Sequence, residues 1–135
     1  MPKLITTQTR IADLGKPRVI VIGGGFGGLE VVKSLKGLNV QVVLFDKFNH
    51  HLFQPLLYQV ATSGLETSSI VAPFRKLFSK QKDFYFRLGE VISVNTEKNS
   101  ISTSIGDVKY DYLVIATGAQ TNFSGWRRWR EILLA

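Results

Sequence analysis

Six residues, Gly23-Gly24-Gly25-Phe26-Gly27-Gly28, constrain this chain more than any other stretch. They follow Arg18 to Ile22 (RVIVI), a run rich in β-branched residues that suits a strand covered on both faces. After them Leu29, Val32 and Leu35 recur at helical spacing with Glu30, Lys33 and Lys36 between, and Gly37 is a helix stop signal. Val40 to Phe45 (VQVVLF) reads as a second buried strand, ending in Asp46. Strand, Gly-rich turn, helix and strand make a βαβ unit of about the 30-residue length such a unit needs. The expected class is therefore α/β with a parallel sheet.

Each glycine of Gly23-x-Gly25-x-x-Gly28 has a physical task. Gly23 allows the tight turn out of the strand. Gly25, without a side chain, lets a pyrophosphate approach the backbone, and Gly28 lets helix and strand pack closely. The free N–H groups and the positive dipole end of the helix then face the phosphate. A merely flexible glycine turn is the alternative. The context favours the nucleotide, because the turn follows a strand, opens a helix and has a carboxylate 23 residues after Gly23. At a strand end Asp46 can accept hydrogen bonds from both ribose hydroxyls of an adenosine, a charge-assisted contact worth roughly 1.5–3 kcal/mol. It would repel a 2′-phosphate. FAD and NAD both contain ADP, and the motif alone does not choose between them.

Residues 47–64 have no clean period and read as an ordered loop with one helical turn, punctuated by Pro55 and Gly64. The pattern predicts a helix over 65–79, capped near Ser68 or Ser69, with Pro73 tolerable only in its first turn. Phe84 to Leu88 is a third strand. Val91 to Asn95, Ser100 to Ile105 and Val108 to Tyr110 alternate between turn signals at Glu97-Lys98-Asn99 and Gly106-Asp107, which predicts an antiparallel meander. Tyr112 to Ala116 (YLVIA) returns to the buried-strand pattern and ends at Thr117-Gly118. Residues 1–16 are polar and Thr-rich and read as a flexible, solvated arm, with the fold starting at Pro17.

Composition narrows the function. The 135 residues contain no cysteine, which excludes a disulfide framework, a thiolate metal site and a Cys-based redox relay within them. No run of about 18 apolar residues exists to span a bilayer, and the first residues lack the apolar core of a secretory signal. A net charge of +7 favours anionic partners without choosing among them. Arg75, Lys76, Lys80, Lys82 and Arg87 cluster in sequence, with Asp83 among them; such a run is usually a solvated face, and no nucleic-acid motif accompanies it. His50 and His51 are adjacent, lack metal-ligand spacing and have no Cys or carboxylate cluster beside them, so no metal is expected. Hydrogen bonding near a cofactor, or loop packing, is the reading for that pair.

The string from Lys47 to Thr62 (KFNHHLFQPLLYQVAT), with GGGFGG, the strand–Asp46–Lys47 junction, the meander and VIATGA (Val114 to Ala119), resembles the N-terminal FAD-binding portion of a type II NADH dehydrogenase. These are NADH:quinone oxidoreductases of the pyridine nucleotide-disulfide oxidoreductase superfamily. The resemblance covers Arg18 to Phe123; HLFQPLLYQVAT is its most family-specific part. It implies a Rossmann-like FAD/NAD(P)-binding domain, here over 17–123 and incomplete. It implies that Gly23, Gly25 and Gly28, with backbone at Phe26 and Gly27, hold the FAD pyrophosphate. Asp46 would bind the adenosine ribose, with Lys47 flanking it. Backbone around Pro55-Leu56 would line the flavin side, Val91 would meet adenine, and Ala116, Thr117 and Gly118 would close over the cofactor. Side chains of Leu52, Phe53, Leu56 and Leu57 read equally as core. Lacking cysteine, the chain suits neither disulfide reduction nor sulfide oxidation. Hydride delivery from NADH to flavin and transfer to a quinone remains. The cofactor carries that reaction, so no catalytic side chain is nominated.

By the same resemblance a complete enzyme is much longer. It adds an NADH domain, a returning segment that completes the FAD domain and an amphipathic membrane-docking region. The FAD domain would then lack its last parallel strand here, leaving an unpaired edge. A helix-dipole contribution of up to ~2 kcal/mol plus the ribose contact falls short of the about 8 kcal/mol of micromolar binding. The expectation is weak FAD binding, or none, by an isolated chain that is inactive alone. Residues 124–135 (SGWRRWREILLA) match nothing in the family pattern. Trp126, Trp129 and Leu133 can share a helical face, as in a membrane-surface segment. An accidental tail after a frameshift is the other reading. The expected location is cytoplasmic, or peripheral at the inner face of the cytoplasmic membrane. Two other functions stay open: a non-catalytic dinucleotide-binding module needing a partner chain, and a basic membrane-surface binder.

Overall fold

The computed structural model describes Thr9 and residues 11–119. β1 (Arg18–Ile22) leads into α1 (Phe26–Ser34) and then β2 (Gln41–Asp46). β1 and β2 pair in parallel, Arg18 beside Gln41 through Ile22 beside Phe45. The βαβ unit forms as expected, because β-branched residues favour the extended chain and the helix has its apolar positions on one face. α1 buries Gly28, Leu29 and Val32.

The middle of the chain departs from the sequence pattern. β3 (His50–Leu52) is followed by a 3-10 turn over Gln54–Leu56, α2 (Leu57–Ala61) and a second 3-10 turn over Thr67–Ile70. The helix predicted over 65–79 does not form. β4 (Val71–Pro73) occupies its centre and only the short α3 (Phe74–Leu77) is α-helical. Pro73 explains the break: it pushes Ala72 toward extended conformations, and it stands as the N-cap of α3 with ψ +132 rather than inside the helix. β4 then pairs antiparallel with β3, His51 opposite Ala72. Sequence periodicity does not register a strand this short whose partner lies some twenty residues earlier.

β5 (Phe84–Leu88), β6 (Val91–Asn95), β7 (Ser100–Thr103), β8 (Gly106–Lys109) and β9 (Tyr112–Ile115) complete the described elements. Three sheets result among the described residues: a parallel one in the order β5-β2-β1-β9, the β3-β4 ribbon, and the antiparallel meander β6-β7-β8. The second meander turn falls at Ser104-Ile105 and not at Gly106-Asp107, with Gly106 opening β8 at φ +122.

β1 and β2, at the centre of the parallel sheet, are covered on both faces, which is why they read as continuous apolar runs; β9 has the same apolar pattern but lies at the edge of the sheet and has no buried residue. One face, carrying Val19, Val21, Val42, Leu44 and Phe86, packs against α1 and against Phe74 and Phe78. The other packs Ile20, Ile22, Val43 and Phe45 against Ile101 and Val108 of the meander. The end of the segment expected to be a solvated arm is docked on this second face. Ile11 packs against the meander-side core. The Ala12 carbonyl accepts from Gln41 Nε2 at 2.6 Å, and Lys16 pairs with Asp83 at 2.7 Å. Arg87 Nε donates to the Thr9 carbonyl at 2.7 Å. Burial, and secondarily the nearby Arg75, lower the Arg87 pKa, with Tyr85 opposing them.

Candidate functional site

The C-terminal ends of β1, β2 and β9 converge. Gly23 N–H donates to the Phe45 carbonyl at 2.8 Å, and Ala116 N–H donates to the Ile22 carbonyl at 2.8 Å. Gly23 takes φ +98, a conformation that side chains disfavour, and a Cβ there would collide with the Ala116 carbonyl. A Cβ on Gly28 would strike the Gly23 carbonyl. These two glycines let the turn, the helix start and β9 approach one another. Gly25 differs: a Cβ on it would meet nothing within 4 Å, and its φ is −70. It faces open space at the mouth of the turn.

Gly25 is also the N-cap of α1, which has no side-chain cap hydrogen bond and no acidic residue in its first turn. The start of α1 thus offers backbone donors and a positive dipole end without a built-in anion. Gly25, Phe26 and Gly27 are exposed, while Gly24 and Gly28 are buried.

Asp46 ends β2 beside this turn. Its Oδ2 accepts from Gly24 N–H at 2.6 Å and its Oδ1 from Phe48 N–H at 2.8 Å. A carboxylate has about four acceptor directions, so two backbone donors fix the group and leave it free to accept two more. Lys47 points into a salt bridge with Glu90 at 2.6 Å, across the turn that joins β5 to β6. Gly89 N–H donates to the Asp46 carbonyl at 2.9 Å and ties that turn to the end of β2. Val91, next along, packs toward the meander-side core.

The structure gathers Gly23, Gly25, Phe26, Gly27, Gly28, Asp46 and Ala116 around one strand end, with Thr117 and Gly118 continuing from Ala116 and Gly118 at φ +70. Leu56 sits on the 3-10 turn after β3, half-buried, with Leu57 and Tyr58 exposed beyond it. Phe26 meets His51 and Phe53 edge-on, with ring centroids 5.0 and 5.4 Å apart. Among the described residues no cluster of His, Asp or Glu could hold a metal ion. Sequence reasoning did not single out Gly24 or Glu90; for His51 it expected hydrogen bonding near a cofactor or loop packing, without naming the partner. Gly24 is buried under the Phe74 ring, His51 Nδ1 lies 3.0 Å from the Gly24 carbonyl, and Glu90 engages Lys47. The triple glycine is a local signal for Gly24; the partners of His51 and Glu90 depend on tertiary packing.

This arrangement fits a dinucleotide phosphate and its ribose. The open Gly25, the uncapped helix start and a doubly anchored carboxylate lie at the carboxyl ends of parallel strands, where such ligands bind in open α/β sheets.

Known proteins share this framework. The family model for pyridine nucleotide-disulphide oxidoreductases matches residues 17–127. The type II NADH:quinone oxidoreductase NdhA of Mycobacterium tuberculosis is 40% identical over 115 residues, 82% of this chain and 24% of that protein. The solved structure of NDH2 from Plasmodium falciparum in complex with NADH aligns with a TM-score of 0.74 at 25% identity, over 82% of this chain and 24% of that one. The sulfide:quinone oxidoreductase of Aquifex aeolicus aligns with a TM-score of 0.73 at 30% identity, over 79% of this chain and 25% of that one. The chain therefore spans about a quarter of the length of the relatives it matches.

Proposed function

The chain belongs to the pyridine nucleotide-disulphide oxidoreductase family, and from that premise we propose that it is the FAD-binding portion of an NADH:quinone oxidoreductase. In the complete protein electrons would pass from NADH through FAD to a quinone. FAD, when bound, supplies the hydride acceptor and electron donor of that sequence. The chain's own residues bind and orient it. The start of α1 and the Gly25 backbone receive the pyrophosphate, and Asp46 accepts from the ribose hydroxyls. Lys47, held by Glu90, flanks that ribose. The backbone of Val91 would meet the adenine, the backbone around Pro55-Leu56 would line the flavin side, and Ala116, Thr117 and Gly118 would close over the cofactor. The observation that carries the reading is the pairing of an open, uncapped helix start with a carboxylate already held by two backbone donors.

These 135 residues would bind the ADP half and turn over no NADH alone. A quinone acceptor resides in lipid, so the complete protein would work at a membrane surface, at its inner face in a bacterium. Among the described residues no helix is long and apolar enough to cross a membrane, and the tail at 124–135 lies outside those residues. The test is titration of FAD and ADP into the chain and into Asp46→Ala, with NADH oxidation followed in parallel. Saturable binding that Asp46→Ala weakens, without NADH oxidation, supports the reading; equal binding by both proteins removes it.

A second reading has one observation in its favour. The outer edge of β9 has no strand partner among the described residues, and Tyr112 and Ile115 there are 63% and 64% exposed. A further strand added at this edge, from elsewhere in a longer polypeptide or from a partner chain, would complete a dinucleotide-binding module. Binding of FAD that appears only on addition of such a segment would favour this reading.

A further inference from the structure

The dinucleotide motif leaves Gly24 and Gly27 unspecified; Gly27 is exposed, whereas Gly24 is buried and held on three sides. The Gly24 N–H donates to Asp46 Oδ2 at 2.6 Å. Its carbonyl lies 3.0 Å from His51 Nδ1, and because a carbonyl only accepts, this contact calls for the tautomer with the hydrogen on Nδ1. Over its Cα lies the ring of Phe74, which is 0% exposed and fills the space a Cβ would need. His51 itself is 9% exposed and sits edge-on to Phe26.

These contacts share one origin. β3 carries His51, β4 runs directly into Phe74, and the two strands pair with His51 opposite Ala72. The short ribbon therefore closes on Gly24 from two sides.

A trans peptide directs its C=O and the next N–H in opposite directions. Holding the Gly24 carbonyl toward the interior turns the Gly25 N–H away from His51. A Gly-Gly peptide has little steric resistance to rotating. Rotated, it would present a carbonyl, with its partial negative charge, where a phosphate is to bind.

We propose that His51 is a positioning residue of the dinucleotide turn: its Nδ1–H pins the Gly24 carbonyl so that the Gly25 N–H, and not a carbonyl oxygen, is offered to the pyrophosphate. The proposal rests on the reading that this turn binds ADP, and it adds a task for the β3-β4 ribbon.

The experiment has two arms on the 135-residue chain. Long-range 1H–15N correlation spectra of the histidine rings at pH 8 report the tautomer. A protonated Nδ1 on His51 is expected; a bare Nδ1 overturns the proposal. The second arm compares His51→Asn with His51→Leu by NMR titration with ADP into the millimolar range, alongside thermal unfolding without ligand. Asn and Leu share a branched skeleton and both lose the ring contact with Phe26, but only Asn places an N–H donor where Nδ1 stood. His51→Asn should bind ADP close to the parent, and His51→Leu should bind up to about tenfold more weakly. Equal affinities for the two variants overturn the proposal, whatever their stabilities. Failure of the parent chain to bind ADP removes the reading that this turn binds ADP and the proposal with it, and a protonated Nδ1 then reports a structural hydrogen bond alone.

Discussion

Substituting Gly25 and Gly28 by alanine separates what the turn needs in order to fold from what it needs in order to bind. Gly28 is buried, and a methyl group there would strike the Gly23 carbonyl. Backbone cannot rotate aside as a side chain can, so α1 must move away from β1. Overpacking of this kind costs about 1–3 kcal/mol, and the better helix propensity of alanine returns at most about 1 kcal/mol. With a backbone atom as the obstacle the upper end applies, and Gly28→Ala should lose about 2 kcal/mol, lowering the melting temperature by roughly 6–10 °C. Gly25 has φ −70 and open space around it. Alanine there loses about 0.5–1 kcal/mol as a poorer N-cap and regains about 0.4–1 kcal/mol through a less mobile unfolded chain. Stability should stay within about 0.5 kcal/mol of the parent. Binding should not. The methyl group occupies the approach to a helix start whose anion interaction is worth up to about 2 kcal/mol, so ADP affinity should fall by about five- to thirtyfold. Urea unfolding and ADP titration of both variants decide the matter. A Gly25→Ala variant that binds ADP like the parent would refute the assignment of that open space to a phosphate.

Three further outcomes follow from other contacts. Asp46→Asn keeps one acceptor oxygen and turns an NH2 group toward a backbone N–H, so it should lose about 1–3 kcal/mol in urea unfolding and weaken ADP binding as well. Phe74→Ala empties the space above Gly24 and part of the α1-side core, which should cost about 3–5 kcal/mol; calorimetry measures it. Lys16→Ala removes a pair whose side chains are each 32% exposed, and its cost should stay below about 1 kcal/mol and shrink further with added salt.

The βαβ unit was legible in the sequence because its signals are local: β-branched runs, a helical period between them, and glycines at positions that need them. The meander was legible for the same reason, although its second turn formed at Ser104-Ile105 while Gly106 took the positive φ inside the strand start. The segment from 65 to 79 was not legible. Val71–Pro73 becomes extended because it finds His50–Leu52, and nothing within the window announces that partner. The docking of Ile11 and Ala12 escaped for a similar reason, since a lone isoleucine in a polar stretch carries no period and Gln41 reads as an ordinary strand residue. At the site, the glycines and Asp46 could be named from spacing. The anchoring of Asp46 by Gly24 and Phe48, the burial of Gly24 under Phe74 and the hold of His51 on its carbonyl are products of packing between distant segments.

The claim underlying the whole account is that the start of α1 and the end of β2 form one ADP-binding surface. A 1H–15N titration of the chain with ADP tests it directly, residue by residue. Saturable shifts concentrated at the amides of residues 24–28 and 46–48 are expected. Saturable shifts centred elsewhere, with those amides unmoved, would contradict it.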